Sequence, residues 1–258
     1  MGEFDKVDEM PRRVMVLFFV VDSSGSMEDY GKLESVNTTV REIIPEIRDI
    51  AASNSDAQIK IAALEFSSGV EWMYPQPKLA EEFEWRDLEA GGLTDFGEAC
   101  VELSNKLTVG ENGFMSEAKG SFAPCIILLS DGQPTDNYKH GLEKLKGKRW
   151  FQKAIKIAIA VGNDVSDKMV LQEFTGNSEA VIQVHTKDQL RKIIRFVSVT
   201  PSEVASRSSS VGIGSPETKQ EEVLEKIKDE VDNNPDFNGV EIGTEPPKYE
   251  DEWSSNGW

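Results

Sequence analysis

Between positions 22 and 26 the chain reads Asp22-Ser23-Ser24-Gly25-Ser26, directly behind the apolar run Val14-Met15-Val16-Leu17-Phe18-Phe19-Val20-Val21. An apolar run of that length is a buried strand, and open α/β sheets bind ligands outside the carboxyl ends of their strands. Asp22, Ser24 and Ser26 alternate, so an extended or tightly turned backbone points all three the same way. Gly25 supplies the freedom such a turn needs. Converging carboxylate and hydroxyl oxygens suit a hard cation: Mg2+ takes oxygen donors at about 2.1 Å in a near-octahedral shell.

Two distant pieces offer the same chemistry. Gly91-Gly92-Leu93-Thr94-Asp95 precedes a helix expected over residues 96–107, and Ser130-Asp131-Gly132 ends the most apolar strand, Cys125-Ile126-Ile127-Leu128-Leu129. Singly, each piece reads as turn or cap chemistry; three in order at one rim of a sheet read as a metal site. Asp22, Ser24, Ser26, Thr94 and Asp131 supply five oxygen side chains, which leave the octahedron one short. With neutral hydroxyls in the set the ion stays electrophilic, and an Asp or Glu of a partner protein is the expected donor.

These pieces need a scaffold, and apolar runs alternating with amphipathic stretches specify one. Strands are expected at 14–21, 58–66, 70–74, 124–130, 153–161 and 180–184, with helices at 33–51, 96–107, 168–174, 188–199 and around Leu142, Leu145, Trp150 and Phe151. The expected fold is a three-layer, Rossmann-like α/β arrangement, its central sheet mostly parallel with helices on both faces. One edge strand is expected to be antiparallel, because Ser67-Ser68-Gly69 is short enough for a hairpin. Pro45 is expected to bend or break the first helix. Trp72 and Trp85 fall where the hairpin and the following loop reach the metal rim, as packing or as partner contacts. The chain divides into an N-terminal extension (1–13), the α/β domain (14–200), a Ser/Gly linker (201–215) and an acidic tail (216–258). The tail carries one helix, stopped at Asn233-Asn234-Pro235, and is expected to be disordered from residue 236 onward.

Composition narrows the function. The net charge is −18, and residues 216–258 hold 13 Asp and Glu against four Lys, half of that excess. Such a balance argues against nucleic acid or anionic membrane as partner. No apolar stretch approaches the roughly 18–20 residues that span a bilayer, and the acidic start Met1-Gly2-Glu3-Phe4-Asp5 has no secretory pattern. Lys6 stands where a myristoylation site needs Ser or Thr. Cys100 and Cys125 read as reduced core residues, and the expected location is cytoplasmic. The two histidines, His140 and His185, lie in a polar helical stretch and at a strand end, away from any serine nucleophile. Asp95-Phe96-Gly97 spells a kinase triplet without the glycine-rich loop that would support it.

The three pieces resemble a von Willebrand factor type A domain with a complete metal-ion-dependent adhesion site, over residues 14–199. The resemblance implies direct contact with the metal from Ser24, Ser26 and Thr94, and contact through water from Asp22 and Asp131. It implies Mg2+, with Mn2+ or Ca2+ as substitutes, and a non-catalytic role in protein binding. The Gly-Gly-x-Thr-Asp and Ser-Asp-Gly-x-Pro-Thr-Asp runs are most similar to bacterial TerY-type proteins of tellurium-resistance and stress gene clusters. Relatives with a C-terminal zinc module differ from this chain, which has an acidic tail and no spare Cys. Two alternatives remain at this point. A phosphotransferase resembling the haloacid dehalogenases would use Asp22 as nucleophile, but Ser24 stands where those enzymes need an acid. A regulatory subunit would present its tail to a kinase or phosphatase; as a separate reading of the tail, Glu250, Asp251 or Glu252 would fill the metal's open position in the same or a neighbouring molecule.

Overall fold

The computed structural model describes residues 12–54, 57–117, 121–132, 134–162, 168–206 and 216–244. Its centre is β1 (Arg13–Asp22), flanked by the parallel strands β2 (Ala57–Ser67) and β5 (Cys125–Ser130). β6 (Ile155–Val161) and β7 (Val181–Val184) continue the parallel array beyond β5. Successive side chains of β1 enter opposite layers, as a strand buried on both faces requires. Met15, Leu17, Phe19 and Val21 pack with α1 (Lys32–Ser53) and α6 (Lys187–Ser206). Val16, Phe18 and Val20 pack with α2 (Phe96–Lys106), α3 (Tyr138–Lys146) and α5 (Lys168–Thr175). Each such side chain contributes about 1.5–3 kcal/mol by leaving water. A short helix, α4 (Arg149–Lys153), leads into β6.

The expected antiparallel edge is β3 (Gly69–Trp72), which folds back on β2. A two-residue strand, β4 (Lys78–Leu79), also pairs with β2 and is too short to show any periodicity in sequence. Pro45 does not break α1, which runs through it for 22 residues. Pro45 and Arg41 are both exposed, so water can satisfy the carbonyl that the proline leaves without a donor.

The C-terminal segment departs most from expectation. α6 continues to Ser206, past the boundary placed at residue 200. α7 (Pro216–Asn233) buries Val223, Leu224 and Ile227 in the cluster that holds the odd residues of β1. Gln220 accepts from the Lys156 amide at 2.7 Å and donates to its carbonyl at 3.1 Å, fastening α7 to β6. Beyond α7, a 3-10 turn (Pro235–Phe237) buries Phe237, and β8 (Glu241–Ile242) pairs antiparallel with β7, opposing Ile182 with Ile242. Residues 236–244, expected to be disordered, thus add a second antiparallel edge. The predicted extension up to residue 11, residues 207–215 of the predicted linker, and Glu250, Asp251 and Glu252 lie outside the described residues.

Candidate metal centre

Because β1 and β5 are adjacent and parallel, with Val21 opposite Leu129, Asp22 and the Ser130-Asp131 pair leave the sheet side by side. Asp22 is fully buried, and both of its oxygens are engaged. Oδ1 accepts from the Ser24 amide at 2.9 Å and Oδ2 from the Ser130 hydroxyl at 2.7 Å. Ser130 in turn accepts from the Gly132 amide at 2.9 Å. Burial pushes the Asp22 carboxyl above its ordinary range; bonds from Ser24 and Ser130 pull it back, and the nearby Asp131 charge pushes it further up.

Ser24 and Ser26 lie together, with their hydroxyls 3.1 Å apart. The loop carrying Thr94 closes over them: Gly25 donates to the Gly92 carbonyl at 3.2 Å, and Gly91 donates to the Ser23 carbonyl at 2.9 Å. Gly92 has φ +75, and a Cβ there would stand 2.6 Å from Ser68 Oγ, so this turn requires glycine. Thr94 is buried and tied to the strand-end loop by its amide on Thr135 Oγ1 (2.9 Å) and its carbonyl on the Thr135 amide (3.0 Å). α3, which follows the loop after β5, is held against α2 where Gly141 meets Gly97; a Cβ on Gly141 would fall 2.1 Å from the Gly97 carbonyl. Asp136 accepts from the Gly97 amide at 2.8 Å at the same place.

Asp131 is buried. Its Oδ2 receives Lys32 Nζ at 3.3 Å, and its Oδ1 has no hydrogen-bond partner. A buried carboxylate oxygen left in that state is costly, and a cation would relieve it. The donor set therefore fits a hard divalent ion: two carboxylates, paired serine hydroxyls and a threonine around one strand-end cleft. Among the described residues no cluster of three or more His, Cys, Asp or Glu offers a competing site.

A family model described as von Willebrand factor type A domain matches residues 17–196, well over half of the chain. The chain belongs to this family. No curated protein matches the sequence. Among solved structures, the chain is similar to proximal thread matrix protein 1 of the mussel byssus with a zinc-occupied MIDAS motif (18% identity, TM-score 0.54, 73% of this chain and 48% of that one). It is also similar to the ArnB paralog VWA2 of Sulfolobus acidocaldarius (18%, 0.50, 72% and 46%) and to a von Willebrand factor type A protein of Catenulispora acidiphila (16%, 0.53, 73% and 42%). At these identities the likeness is one of fold, and the chain spans less than half of each of these proteins.

Within this type A domain the two predicted contact tryptophans serve as packing. Trp85 is buried edge-on to Phe19 and donates to Asn37 Oδ1 at 3.0 Å, which withdraws it from any partner. Trp72 lies 4.7 Å from Phe114, ring to ring, and donates to Glu102 at 2.8 Å. The aromatic at the rim is instead Tyr30, 91% exposed, in the left-handed region at φ 56, which costs a residue other than glycine about 1 kcal/mol or more. Leu93, beside Thr94, is the second large apolar side chain exposed there. A pocket of about 340 Å³ opens beside Lys32, lined by Tyr30, Ser35, Gly162, His185 and Lys187.

Sequence reasoning also passed over Lys32, Ser130 as the brace of Asp22, and Thr135. Lys32 did leave a signal. It stands four residues before Val36 and eight before Val40, inside the apolar stripe of α1, where a charge needs a buried partner.

Proposed function

We propose that this type A domain is a non-catalytic, divalent-cation-dependent protein-binding module that takes an acidic side chain of its partner. Asp22, Ser24, Ser26, Thr94 and Asp131 would hold the ion, with Mg2+ the expected species and Mn2+ or Ca2+ able to replace it. The bound ion would supply a Lewis-acidic point for a partner carboxylate. The observation that carries the reading is the buried, unpartnered Asp131 Oδ1 next to the paired Ser24 and Ser26 hydroxyls. Tyr30 and Leu93 supply apolar contacts around that point, and the overall charge of −18 reserves attraction of acidic groups for the site itself. The engagement of both Asp22 oxygens speaks against its use as a nucleophile in phosphoryl transfer.

Cys100 and Cys125 are both buried and unpaired, and burial pushes their thiols up, which suits a reducing, cytoplasmic setting. No helix among the described residues is long and apolar enough to cross a membrane. A place in a bacterial TerY-type stress system, with a kinase or phosphatase as partner, is supported by motif resemblance.

Two measurements test the reading. Purified protein should bind Mn2+ directly, and Thr94→Ala and Ser24→Ala should lose that binding while keeping the wild-type circular dichroism. Capture of a partner from the native organism should disappear with chelator and with either variant. Wild-type Mn2+ binding by both variants would refute the site.

A further inference from the structure

Lys32 opens α1 and is only 5% exposed. Its ammonium lies 3.3 Å from Asp131 Oδ2 and 3.5 Å from the Ser26 carbonyl, so it touches two of the loops that build the candidate centre. Burying an ammonium costs several kcal/mol unless a carboxylate compensates it, and Asp131 does so here. The centre therefore carries a covalently tethered positive charge. Lys32 places one positive charge against the carboxylate of Asp131 and beside the loop that carries Ser24 and Ser26.

We infer that Lys32 is a built-in counter-ion that weakens the centre's hold on a divalent cation and makes that hold depend on the partner's carboxylate. The inference rests on the reading that this centre takes such a cation. Lys32 repels any second positive charge in a poorly hydrated cleft, where effective dielectric constants are low. With a divalent ion bound, the centre is one unit more positive than it would be without Lys32, so an incoming carboxylate is attracted more strongly. Cation and acidic ligand then bind with positive coupling, and that coupling acts equally in both directions. The same charge supports the domain without the ion, because it balances Asp131 where an uncompensated pair of carboxylates would destabilise the strand ends.

The test uses Mn2+ alone, titrated into the full chain and followed by paramagnetic resonance of the free ion and by calorimetry. Lys32→Met should bind Mn2+ at least about tenfold tighter than wild type, and Lys32→Arg, which keeps the charge, should stay within about threefold. In chelator Lys32→Met should melt below wild type, and Mn2+ should raise its Tm by more than it raises that of wild type. Lys32→Gln, neutral but polar, carries the same expectations and guards against a packing defect peculiar to Met. Equal or weaker Mn2+ binding by the neutral variants overturns the role of Lys32 while leaving the metal reading intact. Failure of both neutral variants to fold even in Mn2+ makes Lys32 a structural residue and also overturns it. Absence of Mn2+ binding by every form overturns both.

Discussion

Ser130 donates its hydroxyl to Asp22 across 2.7 Å, joining the ends of two adjacent strands from residues 108 positions apart. That bond fixes the carboxylate in the position from which its other oxygen accepts the Ser24 amide, and so it sets the course of the loop that carries Ser24 and Ser26. Ser130→Ala leaves a buried carboxylate oxygen and the Gly132 amide short of a partner. We expect a loss of about 1–3 kcal/mol in urea unfolding and weaker Mn2+ binding. Unchanged values in both would remove Ser130 from the site's architecture.

Tyr30, in the turn that follows Ser26, and Leu93, next to Thr94, are exposed on two of the segments that carry the proposed ligands. Alanine at either should leave Mn2+ affinity at the wild-type level and reduce partner capture, because exposed aromatic and aliphatic anchors act through the partner's surface. Alanine at Trp85 should instead lower stability by about 3–5 kcal/mol, as truncation of a buried aromatic does. Partner capture that tracks Trp85 at constant stability, and ignores Tyr30, would reverse this assignment.

Much of the arrangement around β1 was legible beforehand, because the physics there is local and repetitive. Residues 14–21 and 125–129 are unbroken apolar runs, and a strand covered on both faces needs nothing else. The hydroxyl and carboxylate residues were legible for the same reason: they follow those runs immediately, so their position at the strand ends comes with the strands. Trp85 was left open between packing and partner contact because a large ring in a polar stretch gives no sign of which face it seeks; the docking of its indole on Asn37 decides for packing. β4 and β8, at two residues each, carry no period at all, and their pairing is imposed by the strands they lie against. Pro45 does not end α1, and its exposed position lets water take up the carbonyl it leaves without a donor, which the sequence alone does not show.

The C-terminal helix is integral to the domain, and this predicts the outcome of truncation. Removing residues 207–258 uncovers Val223's neighbours on the sheet and strips Gln220 from the Lys156 backbone. We expect a large fall in Tm and binding of a hydrophobic dye, where removal of a mere appendage would produce neither. Gln220→Ala is the milder version, with an expected cost of about 1–2 kcal/mol. A truncated chain with wild-type Tm would show that the packed segment contributes nothing.

Lys156 lends the domain a pH dependence of known sign. Burial lowers its ammonium below the ordinary lysine range, and Nζ donates to the Phe151 and Ala154 carbonyls at 3.2 Å each. Between the lowered value and the ordinary one the unfolded chain binds more protons than the folded chain, so wild-type stability rises with pH through that window. The cost of keeping Lys156 charged is fully present below it. The Tm of wild type relative to Lys156→Met should therefore increase as the pH rises toward the ordinary lysine value of about 10.4; a flat difference would argue against the shift.

The strand that closes the sheet beyond β7 is two residues long, and one of them, Glu241, is paired with Lys168 at 3.2 Å. An incoming chain looking for a template would find there almost no row of open amides and carbonyls, and a bound charge beside it. Long parallel sheets whose last strand is bare are prone to recruit further strands and polymerise. Here residues 241–242 occupy that position, so a segment expected to be loose acidic chain covers the edge of β7 that would otherwise stand open to a further strand.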